Sequence, residues 1–282
     1  MMSNPNLFII GAQKAGTTSL SDILSRHKDI SVPPEKELNH FDKPNWKDNT
    51  EKYLQRYSSR SNFKYRLDAT PGYLIKRNNT NPASNIHEFC KNDPKFFCLL
   101  RHPVRRAVAA FYHHFRMGRI NTNDKIRDFS CSPMLIVETG FYTQHLGEYI
   151  NLFGHENVKM LIFEHYVLES EQYHSSIFEW LGLEKLELAK KSEKVNTNAG
   201  IKLIYSGDCI QVRDPETQLS ELRQSNPYFK NMRLIPPPTV DQKDIDYLNT
   251  VYCDEIKKIK KFHPMASDWE DEINLKTFFC KK

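Results

Sequence analysis

Four short apolar runs, each followed by a stretch with helical spacing of its apolar residues, organise much of the chain. The runs are NLFIIGA (6–12), YRLDAT (65–70), KFFCLLR (95–101) and NVKMLIFE (157–164), and the helical stretches after them are 16–27, 81–92, 103–117 and 167–182. Strands that alternate with helices form βαβ units, in which the strands run parallel and helices cover both faces of the sheet. The pattern therefore predicts an α/β fold, a three-layer α/β/α arrangement around a central, mainly parallel sheet.

The remaining segments predict loops and one more helix. KKSEKVNTNAG (190–200) and RLIPPPTV (233–240) are polar or rich in proline, which is typical of loops, and DYLNTVYCDEIKKIKKF (246–262) predicts a helix with a basic end. The segments 43–64, 117–135 and 195–232 are expected to be loops that line a cleft. At 282 residues the chain fits one large domain, which we expect to span 1–282.

The stretch LFIIGAQKAGTTSLSDIL (7–24) has the strand, glycine-rich loop and helix of a P-loop, so the predicted fold is P-loop-like. A Walker A loop has lysine directly after its second glycine, whereas here Thr17 follows Gly16 and the lysine comes earlier, at Lys14. The start of the helix presents unpaired N–H groups and the positive end of its dipole, which favours a bound anion. Thr17 and Thr18 can cap the helix, hold the anion, or both.

A second anion site is predicted at LLRHPVRRAVAAFYHHF (99–115). Arg101 comes at the end of a buried strand, and His102-Pro103 stops that strand before a helix begins. Arginine at a strand end suits a phosphate group, because its planar guanidinium forms paired hydrogen bonds with oxyanions. Two separate anion sites in one cleft imply a ligand that is phosphorylated at two places.

Composition narrows the class of partner. Forty basic residues nearly balance 35 acidic ones, and the net charge of +5 favours a small anionic ligand over nucleic acid. Six cysteines lack CxxC spacing, so free thiols are expected and no metal is implied. Since the chain has no signal-peptide pattern and no apolar run of about 18 residues, we expect a cytoplasmic protein without a membrane partner. The sequence does not predict an oligomeric state.

At the two anion-binding segments the sequence resembles the sulfotransferases that use 3′-phosphoadenosine 5′-phosphosulfate (PAPS). GAQKAGTTSL (11–20) is similar to the family's 5′-phosphosulfate loop, with its lysine ahead of the second glycine, and RHPVRRAVAAFYH (101–113) is similar to its 3′-phosphate segment. The resemblance extends to EKELNHFD (35–42), LDATPGYL (67–74), GFYTQHLGEYINLF (140–153), VKMLIFEHYVLE (158–169), FEWLGL (178–183) and MRLIPPPT (232–239). It implies an enzyme with PAPS as co-substrate, adenosine 3′,5′-bisphosphate (PAP) as product and no metal.

The resemblance also implies roles for individual residues. Lys14, Gly16, Thr17 and Thr18 hold the 5′-phosphosulfate, and the lysine contacts its bridging and sulfuryl oxygens. The cofactor-binding loop as a whole comprises Gly11, Ala12, Gln13, Lys14, Ala15, Gly16, Thr17, Thr18 and Ser19. Arg101 holds the 3′-phosphate together with Arg233, from a loop that closes over the nucleotide. Ala109 stands where the family usually has serine, so either other groups compensate for the missing hydroxyl or the 3′-phosphate binds more weakly.

KELNHFD (36–42) contains two candidates for the catalytic base. Phenol and steroid sulfotransferases use a histidine after the second strand, whereas the heparan-sulfate and related bacterial branch has a glutamate in a KExxxFF-like segment. Glu37 matches the glutamate branch, and His40 is the rival base. A carboxylate can take the proton of a hydroxyl or ammonium group as sulfur is attacked. Lys36 and Asp68 are candidates for orienting the substrate, or are structural.

The expected reaction transfers a sulfuryl group from PAPS to a hydroxyl or amine of a small metabolite, natural product or sugar. The sequence does not identify this acceptor, nor whether oxygen or nitrogen is sulfated. Two other functions fit a phosphate loop. One is a P-loop kinase or NTPase that uses ATP and magnesium, and the other is a nucleotide-binding protein without catalysis. A preference for the 3′-phosphorylated nucleotide over ATP distinguishes the sulfotransferase from the kinase.

Overall fold

The computed structural model describes residues 4–57, 62–77, 79–90, 92–168, 170–186, 203–206, 208–211 and 233–275. The chain forms two compact units, each made of three segments. The first contains Met1–His102, Phe141–Lys191 and Lys257–Trp269, and the second contains Pro103–Gly140, Ser192–Ile256 and Glu270–Lys282. That these units make one functional domain over 1–282 stays a prediction.

The first unit contains a five-stranded sheet in which every pair of neighbouring strands is parallel. Its strands are β1 (Leu7–Gly11), β2 (Ile30–Ser31), β3 (Tyr65–Ala69), β4 (Lys95–Leu100) and β5 (Val158–Ile162), in the spatial order β2-β3-β1-β4-β5. The predicted α/β class and its parallel sheet are thus confirmed. The four predicted strands are β1, β3, β4 and β5, and β2, with two residues, was not predicted.

Eight α-helices occur in the described residues: α1 (Thr17–Leu24), α2 (Thr50–Leu54), α3 (Pro82–Phe89), α4 (Pro103–Arg116), α5 (Tyr142–Phe153), α6 (Phe163–Leu168), α7 (Ser170–Trp180) and α8 (Gln242–Phe262). Helix α4 belongs to the second unit, and α8 begins in the second unit and ends in the first. The predicted helices are confirmed as α1, α3, α4, α7 and α8, and α8 begins four residues before its predicted start. None of these helices is both long enough and apolar enough to cross a bilayer.

The strand order determines where the first unit can bind a ligand. The connection from β1 to β2 runs toward one edge of the sheet. The connections from β3 to β4 and from β4 to β5 run toward the opposite edge. Because such crossovers are right-handed, helices that follow opposite directions lie on opposite faces of the sheet, which puts α1 on one face and α3 and α5 on the other. The reversal occurs between β1 and β4, and sheets of this type bind ligands outside the carboxyl ends of the strands at that point.

The centre of the sheet is fully apolar. Leu7, Phe8, Ile9 and Ile10 of β1 have no exposed surface. A parallel strand covered on both faces needs apolar residues at every position, which is why these strands appear in the sequence as continuous apolar runs. Phe8 stacks on Phe96 of β4 with ring centroids 5.4 Å apart. The rigid strand fixes the position of the loop that follows it.

Some segments predicted as loops are regular structure. The second unit contains an antiparallel sheet in the order β7-β6-β8, made of β6 (Leu203–Ser206), β7 (Asp208–Gln211) and β8 (Arg233–Ile235). The loop prediction for 195–232 and 233–240 was wrong at these strands, because three or four residues are too few for a clear pattern. The segment 43–64, also predicted as a loop, contains a 3₁₀ turn at Trp46–Asn49 and helix α2. The predicted loop at 190–200 lies outside the described residues.

Candidate active site

The loop between β1 and α1 ends in a helix start that has no side-chain cap. Gly16 is the N-cap residue, and its φ of 90° lies in the left-handed region that favours glycine. No acidic residue occurs in the first turn of α1. A Cβ atom at position 16 would approach the Phe163 ring to 2.9 Å, so the backbone and the ring are in close contact. The N–H groups of the first helical turn therefore point toward an open end where an anion is favoured.

Three hydroxyl residues follow Gly16 at the start of the helix. Thr17 is largely buried and Thr18 is half-buried. Neither hydroxyl forms a hydrogen bond within the part of the chain that the structure describes, so both can bind a ligand rather than cap the helix. Ser19 is different, because its Oγ lies 3.0 Å from the hydroxyl of Tyr166 in α6. Thr17 and Thr18 thus have hydroxyls available for a ligand, whereas the Ser19 hydroxyl is bonded to Tyr166 of α6.

Lys14 and Arg101 connect the two predicted anion-binding segments. Lys14 has a φ of 70°, and its carbonyl oxygen accepts a hydrogen bond of 3.1 Å from Nη1 of Arg101. The guanidinium of Arg101 also lies 4.9 Å from the centre of the Phe163 ring, within the range of a cation–π interaction. The structure therefore brings together the two segments at the point where the strand order reverses.

The backbone at Arg101 is held on both sides by hydrogen bonds to side chains. The hydroxyl of Tyr142 donates a 2.7 Å hydrogen bond to the carbonyl of Arg101. The backbone N–H of His102 donates a 3.0 Å hydrogen bond to one carboxylate oxygen of Glu164. The other oxygen of Glu164 accepts a 3.1 Å hydrogen bond from the indole N–H of Trp269. Sequence reasoning missed Tyr142 and Glu164, because neither lies near Arg101 in the chain.

Two of the predicted nucleotide-binding residues belong to the second unit. Ala109 is buried within α4. Arg233 begins the short strand β8, and its side chain lies outside the described part of the structure. Their roles toward the 3′-phosphate stay predictions.

Glu37 lies on an exposed segment after β2. Its φ of 55° is in the left-handed region, and its carbonyl oxygen accepts a hydrogen bond from the side-chain amide of Asn39. The neighbouring Lys36 forms a 3.1 Å ion pair with Asp22 of α1. This contact ties the segment to α1, the helix whose first turn belongs to the predicted anion site. The Glu37 side chain is exposed to solvent, where a substrate can reach it.

His40, in contrast, is buried among aromatic rings. Its ring stacks on Tyr53 with centroids 4.1 Å apart and an interplanar angle of 3°, and it meets the edge of Phe41 at 4.7 Å. Burial, with a smaller contribution from the charge of Lys43, lowers the pKa of His40 to about 4. Its Nε2 atom is buried and has no hydrogen-bond partner among the described residues. The imidazole is therefore neutral at physiological pH.

Asp68 is the centre of a buried hydrogen-bond network at the end of β3. Its carboxylate accepts hydrogen bonds from the hydroxyls of Tyr53 (2.9 Å), Tyr73 (3.0 Å) and Thr70 (2.7 Å). Burial raises the pKa of Asp68 to about 6, although the three hydroxyls favour the ionised form. The Tyr73 hydroxyl also accepts the N–H of His40 at 2.9 Å. Asp68 thus fixes, through Tyr73, the segment that carries Glu37.

Asp42 is a further carboxylate in this region, which sequence reasoning did not single out. Burial raises its pKa, and its Oδ1 atom is buried with no hydrogen-bond partner among the described residues. A Cβ atom added to Gly72 would lie 3.8 Å from Oδ2 of Asp42, so this carboxylate is close to the turn after β3. The only signal in the sequence was its place in KELNHFD. Within the described residues, no three His, Cys, Asp or Glu side chains are arranged to hold a metal ion.

Comparison with known proteins concerns the family and the fold of the chain. A family model described as "Sulfotransferase domain" matches residues 4–199, well over half of the chain. A membrane-associated sulfotransferase of Dictyostelium discoideum, kil1, is 34% identical over 121 residues, which is 42% of this chain and 24% of that protein. The chain thus spans about a quarter of this curated relative.

Two solved structures share the fold. A sulfotransferase from Alicyclobacillus acidocaldarius has a TM-score of 0.58 and 22% identity, and the match covers 88% of this chain and 96% of that one. The sulfotransferase domain from the curacin biosynthetic pathway has a TM-score of 0.50 and 14% identity, with 90% and 98% covered. Both similarities concern the fold. With the family model matched from β1 through α7, the chain belongs to the sulfotransferase family.

Proposed function

We propose that the chain transfers a sulfuryl group from PAPS to a hydroxyl or amine of a small metabolite, natural product or sugar. The observation that carries the proposal is the hydrogen bond between Arg101 and the carbonyl of Lys14, because it joins two anion-binding segments at one edge of the sheet. A nucleotide with phosphate groups at its 3′ and 5′ positions needs two such segments. Family membership supports the sulfuryl transfer, and the kinase alternative is not favoured.

The residues of the phosphate loop fit the 5′-phosphosulfate. The uncapped start of α1 supplies N–H donors, Thr17 and Thr18 supply hydroxyls, and Gly16 lets the backbone approach the ligand. When bound, PAPS supplies the sulfuryl group and the bisphosphate leaving group. Lys14 stabilises the negative charge that develops on the leaving oxygen, as a positively charged group placed in advance can do. Arg101 binds the 3′-phosphate.

Glu37 is the proposed base. An acceptor hydroxyl loses its proton to the carboxylate while its oxygen bonds to sulfur and the bond from sulfur to the leaving oxygen breaks. The exposed side chain of Glu37 and the ion pair that ties its neighbour Lys36 to α1 support this role. His40 is the rival base, and its burial among aromatic rings favours a positioning role instead.

Incubation with PAPS and a panel of alcohols, amines and sugars tests the function. The expected result is an acceptor that gains the mass of one sulfate group and the release of PAP, both measured by mass spectrometry. The same panel with ATP and magnesium is the control, and phosphate transfer without sulfate transfer would overturn the proposal. Binding of PAP without turnover of any acceptor would favour a binding protein.

A cytoplasmic location is part of the proposal. Cys90, Cys98, Cys131 and Cys253 are free thiols, as in proteins of a reducing compartment. The Dictyostelium relative is membrane-associated by its name, so fractionation of cells that express the full chain, with detection in soluble and membrane fractions, decides between the two locations.

A further inference from the structure

The loop between β3 and α3 borders a solvent-open cavity of about 360 Å³ that the proposed reaction does not use. It is lined by Lys76, Arg77, Asn79, Thr80 and Asn81. Arg77 and Thr80 exchange two backbone hydrogen bonds, of 3.0 and 2.6 Å, which close the loop into a tight turn. Five polar residues thus line a space at the small end of the range for ligand sites.

The segment just before the cavity is fixed against the phosphate loop. The side chain of Leu74 lies so close to Gly11 that a Cβ atom there would approach it to 2.9 Å. The carbonyl of Tyr73 accepts a 2.7 Å hydrogen bond from the hydroxyl of Tyr149 in α5. The cavity therefore begins a few residues beyond a fixed contact with the end of β1, on the β3 side of the sheet.

Two positively charged residues line the cavity, and of these Arg77 forms no ion pair with a described residue. Lys76 is paired with Glu148 at 2.9 Å, and Glu148 also accepts a hydrogen bond from the side-chain amide of Asn81. The guanidinium of Arg77, however, forms no ion pair with any described residue, and its Nε atom is buried without a hydrogen-bond partner there. Its charge influences Asp42 without a direct contact. A buried donor of this kind is costly unless a ligand satisfies it.

Two further features of the cavity favour an anion. Thr80 is 5% exposed, and its hydroxyl is buried with no partner in the described part of the chain. Helix α3 begins at Pro82 with Asn81 as its N-cap residue, and the Asn81 side chain accepts the N–H of Ser84 at 3.4 Å, so the positive end of the helix dipole lies at the cavity wall with that N–H already bonded. An arginine without a described ion pair, a buried hydroxyl without a described partner and the start of α3 thus all belong to the residues that line this space.

We infer that this cavity binds an oxyanion carried by the acceptor, namely a carboxylate, sulfate or phosphate group, so that the preferred acceptor is acidic. Arg77 and the Thr80 hydroxyl donate hydrogen bonds to the oxyanion, and Glu148 holds Lys76 and Asn81 in place. The role of the cavity in acceptor choice rests on the proposed function, whereas anion binding itself does not.

Anion binding is tested first, with PAP present to fill the nucleotide sites. Crystals are soaked with sodium selenate, and its anomalous signal is mapped, while sulfate affinity is measured by calorimetry at constant ionic strength. We expect a selenate peak against Arg77 and Thr80, and about tenfold weaker sulfate binding in Arg77→Gln and Thr80→Val, as loss of a hydrogen bond to a charged group implies. The matched control is Arg56→Gln, since Arg56 pairs with Glu35 on the exposed surface. An empty cavity, or selenate only at lattice contacts as an adventitious ion, would overturn the inference.

The acceptor is tested second, with an acidic acceptor from the panel and its methyl ester. Arg77→Gln is expected to lower kcat/KM for the acid about tenfold and to leave the ester within about twofold of wild type. If kcat/KM falls equally for both acceptors, or for neither, the cavity has no role in acceptor choice and can bind only free anions. If PAP does not bind at all, the proposed function fails, and the selenate map still decides whether the cavity binds an anion.

Discussion

The guanidinium of Arg101 donates a hydrogen bond to the main-chain carbonyl of Lys14 across 3.1 Å, although 87 positions separate the two residues in the chain. Two loops that start from neighbouring strands are thereby held in one arrangement. A ligand that contacts both loops meets groups that are already in place, which reduces the ordering that binding requires.

PAP is expected to raise the melting temperature of the protein more than AMP or ATP does, with or without EDTA. A ligand that binds only the folded state stabilises it by mass action, and PAP alone of the three carries phosphates for both loops. Thermal unfolding at equal nucleotide concentrations measures the difference. A larger shift with ATP that depends on magnesium would contradict the assignment of Arg101 to a 3′-phosphate.

Lys14→Ala is expected to lower kcat far more than it weakens PAP binding. In the proposed reaction the lysine contacts the sulfuryl group, which PAP lacks, and the bridging oxygen as it becomes the leaving oxygen, so its loss removes an interaction made mostly in the transition state. Steady-state rates with PAPS, together with the Kd of PAP from calorimetry, separate the two effects. Lys47→Ala, which removes an exposed pair with Glu88, is the control and should change neither. Parallel losses in rate and PAP affinity would make Lys14 a general phosphate-binding residue.

Glu37→Gln is expected to lower kcat about 100-fold or more, the usual contribution of a positioned base, while PAP affinity stays within a small factor. Glutamine keeps the size and hydrogen bonding of the side chain but not its basicity. Glu35→Gln is the matched control, because Glu35 is also exposed and pairs with Arg56. His40→Asn should reduce the rate less than Glu37→Gln. The reverse order, measured with an alcohol acceptor, would identify the histidine as the base.

Glu164→Gln is expected to weaken PAP binding about fivefold and to leave AMP binding almost unchanged. The carboxylate accepts one hydrogen bond from the backbone after Arg101 and one from Trp269, and an amide can accept only one of them well. The displaced Arg101 is then expected to lose part of its proposed contact with the 3′-phosphate. Calorimetry with both nucleotides gives the ratio of affinities. Glu171→Gln on the exposed surface of α7 is the control, and equal weakening of both nucleotides would indicate a general structural role.

Asp68→Asn is expected to remove a pH dependence of stability. The pKa of Asp68 is about 6 in the folded protein, above the ordinary 3.8, so the folded state binds this proton more tightly than the unfolded state does. Its contribution to stability is therefore greatest below pH 4 and is lost as the pH rises to about 6, a change of about 2 kcal/mol between pH 4.5 and 7.5. Denaturant unfolding at these two pH values measures it in both proteins.

His40 has the opposite effect on stability, because its lowered pKa destabilises the folded state as the pH falls from 6.5 toward 4. Since His40 is present in both proteins, the difference between wild type and Asp68→Asn isolates Asp68. An unchanged difference at the two pH values would mean that Asp68 keeps the same charge in the folded and unfolded states.

Much of the fold was predictable, because continuous apolar strands such as Phe96–Leu100 and the glycine at position 16 leave few alternatives. Short elements were not, since β2 has two residues and the strands of the second sheet have three or four. Their place depends on pairing with distant segments, which local spacing does not record.

The candidate site was predictable only in part. Lys14 and Glu37 lie in stretches with a recognisable order of residues, and their catalytic roles stay predictions. The partners that hold these stretches were not predictable, because Glu164 contacts His102 across 62 positions and Tyr73 contacts His40 across 33. Such contacts come from the topology of the sheet. The cavity at Arg77 was not predictable for the same reason, because only the folded structure shows which polar groups have no hydrogen-bond partner.

The contact between Gly16 and the ring of Phe163 limits how this chain can change during evolution. Any side chain at position 16 would meet the ring at about 2.9 Å, and the positive φ makes a substitution unfavourable even if space were available. A smaller residue at position 163 would relieve only the first of these two restrictions, and it would also remove the ring beneath Arg101. A substitution at position 16 therefore requires a smaller residue at position 163, and that second change would also alter the surroundings of Arg101.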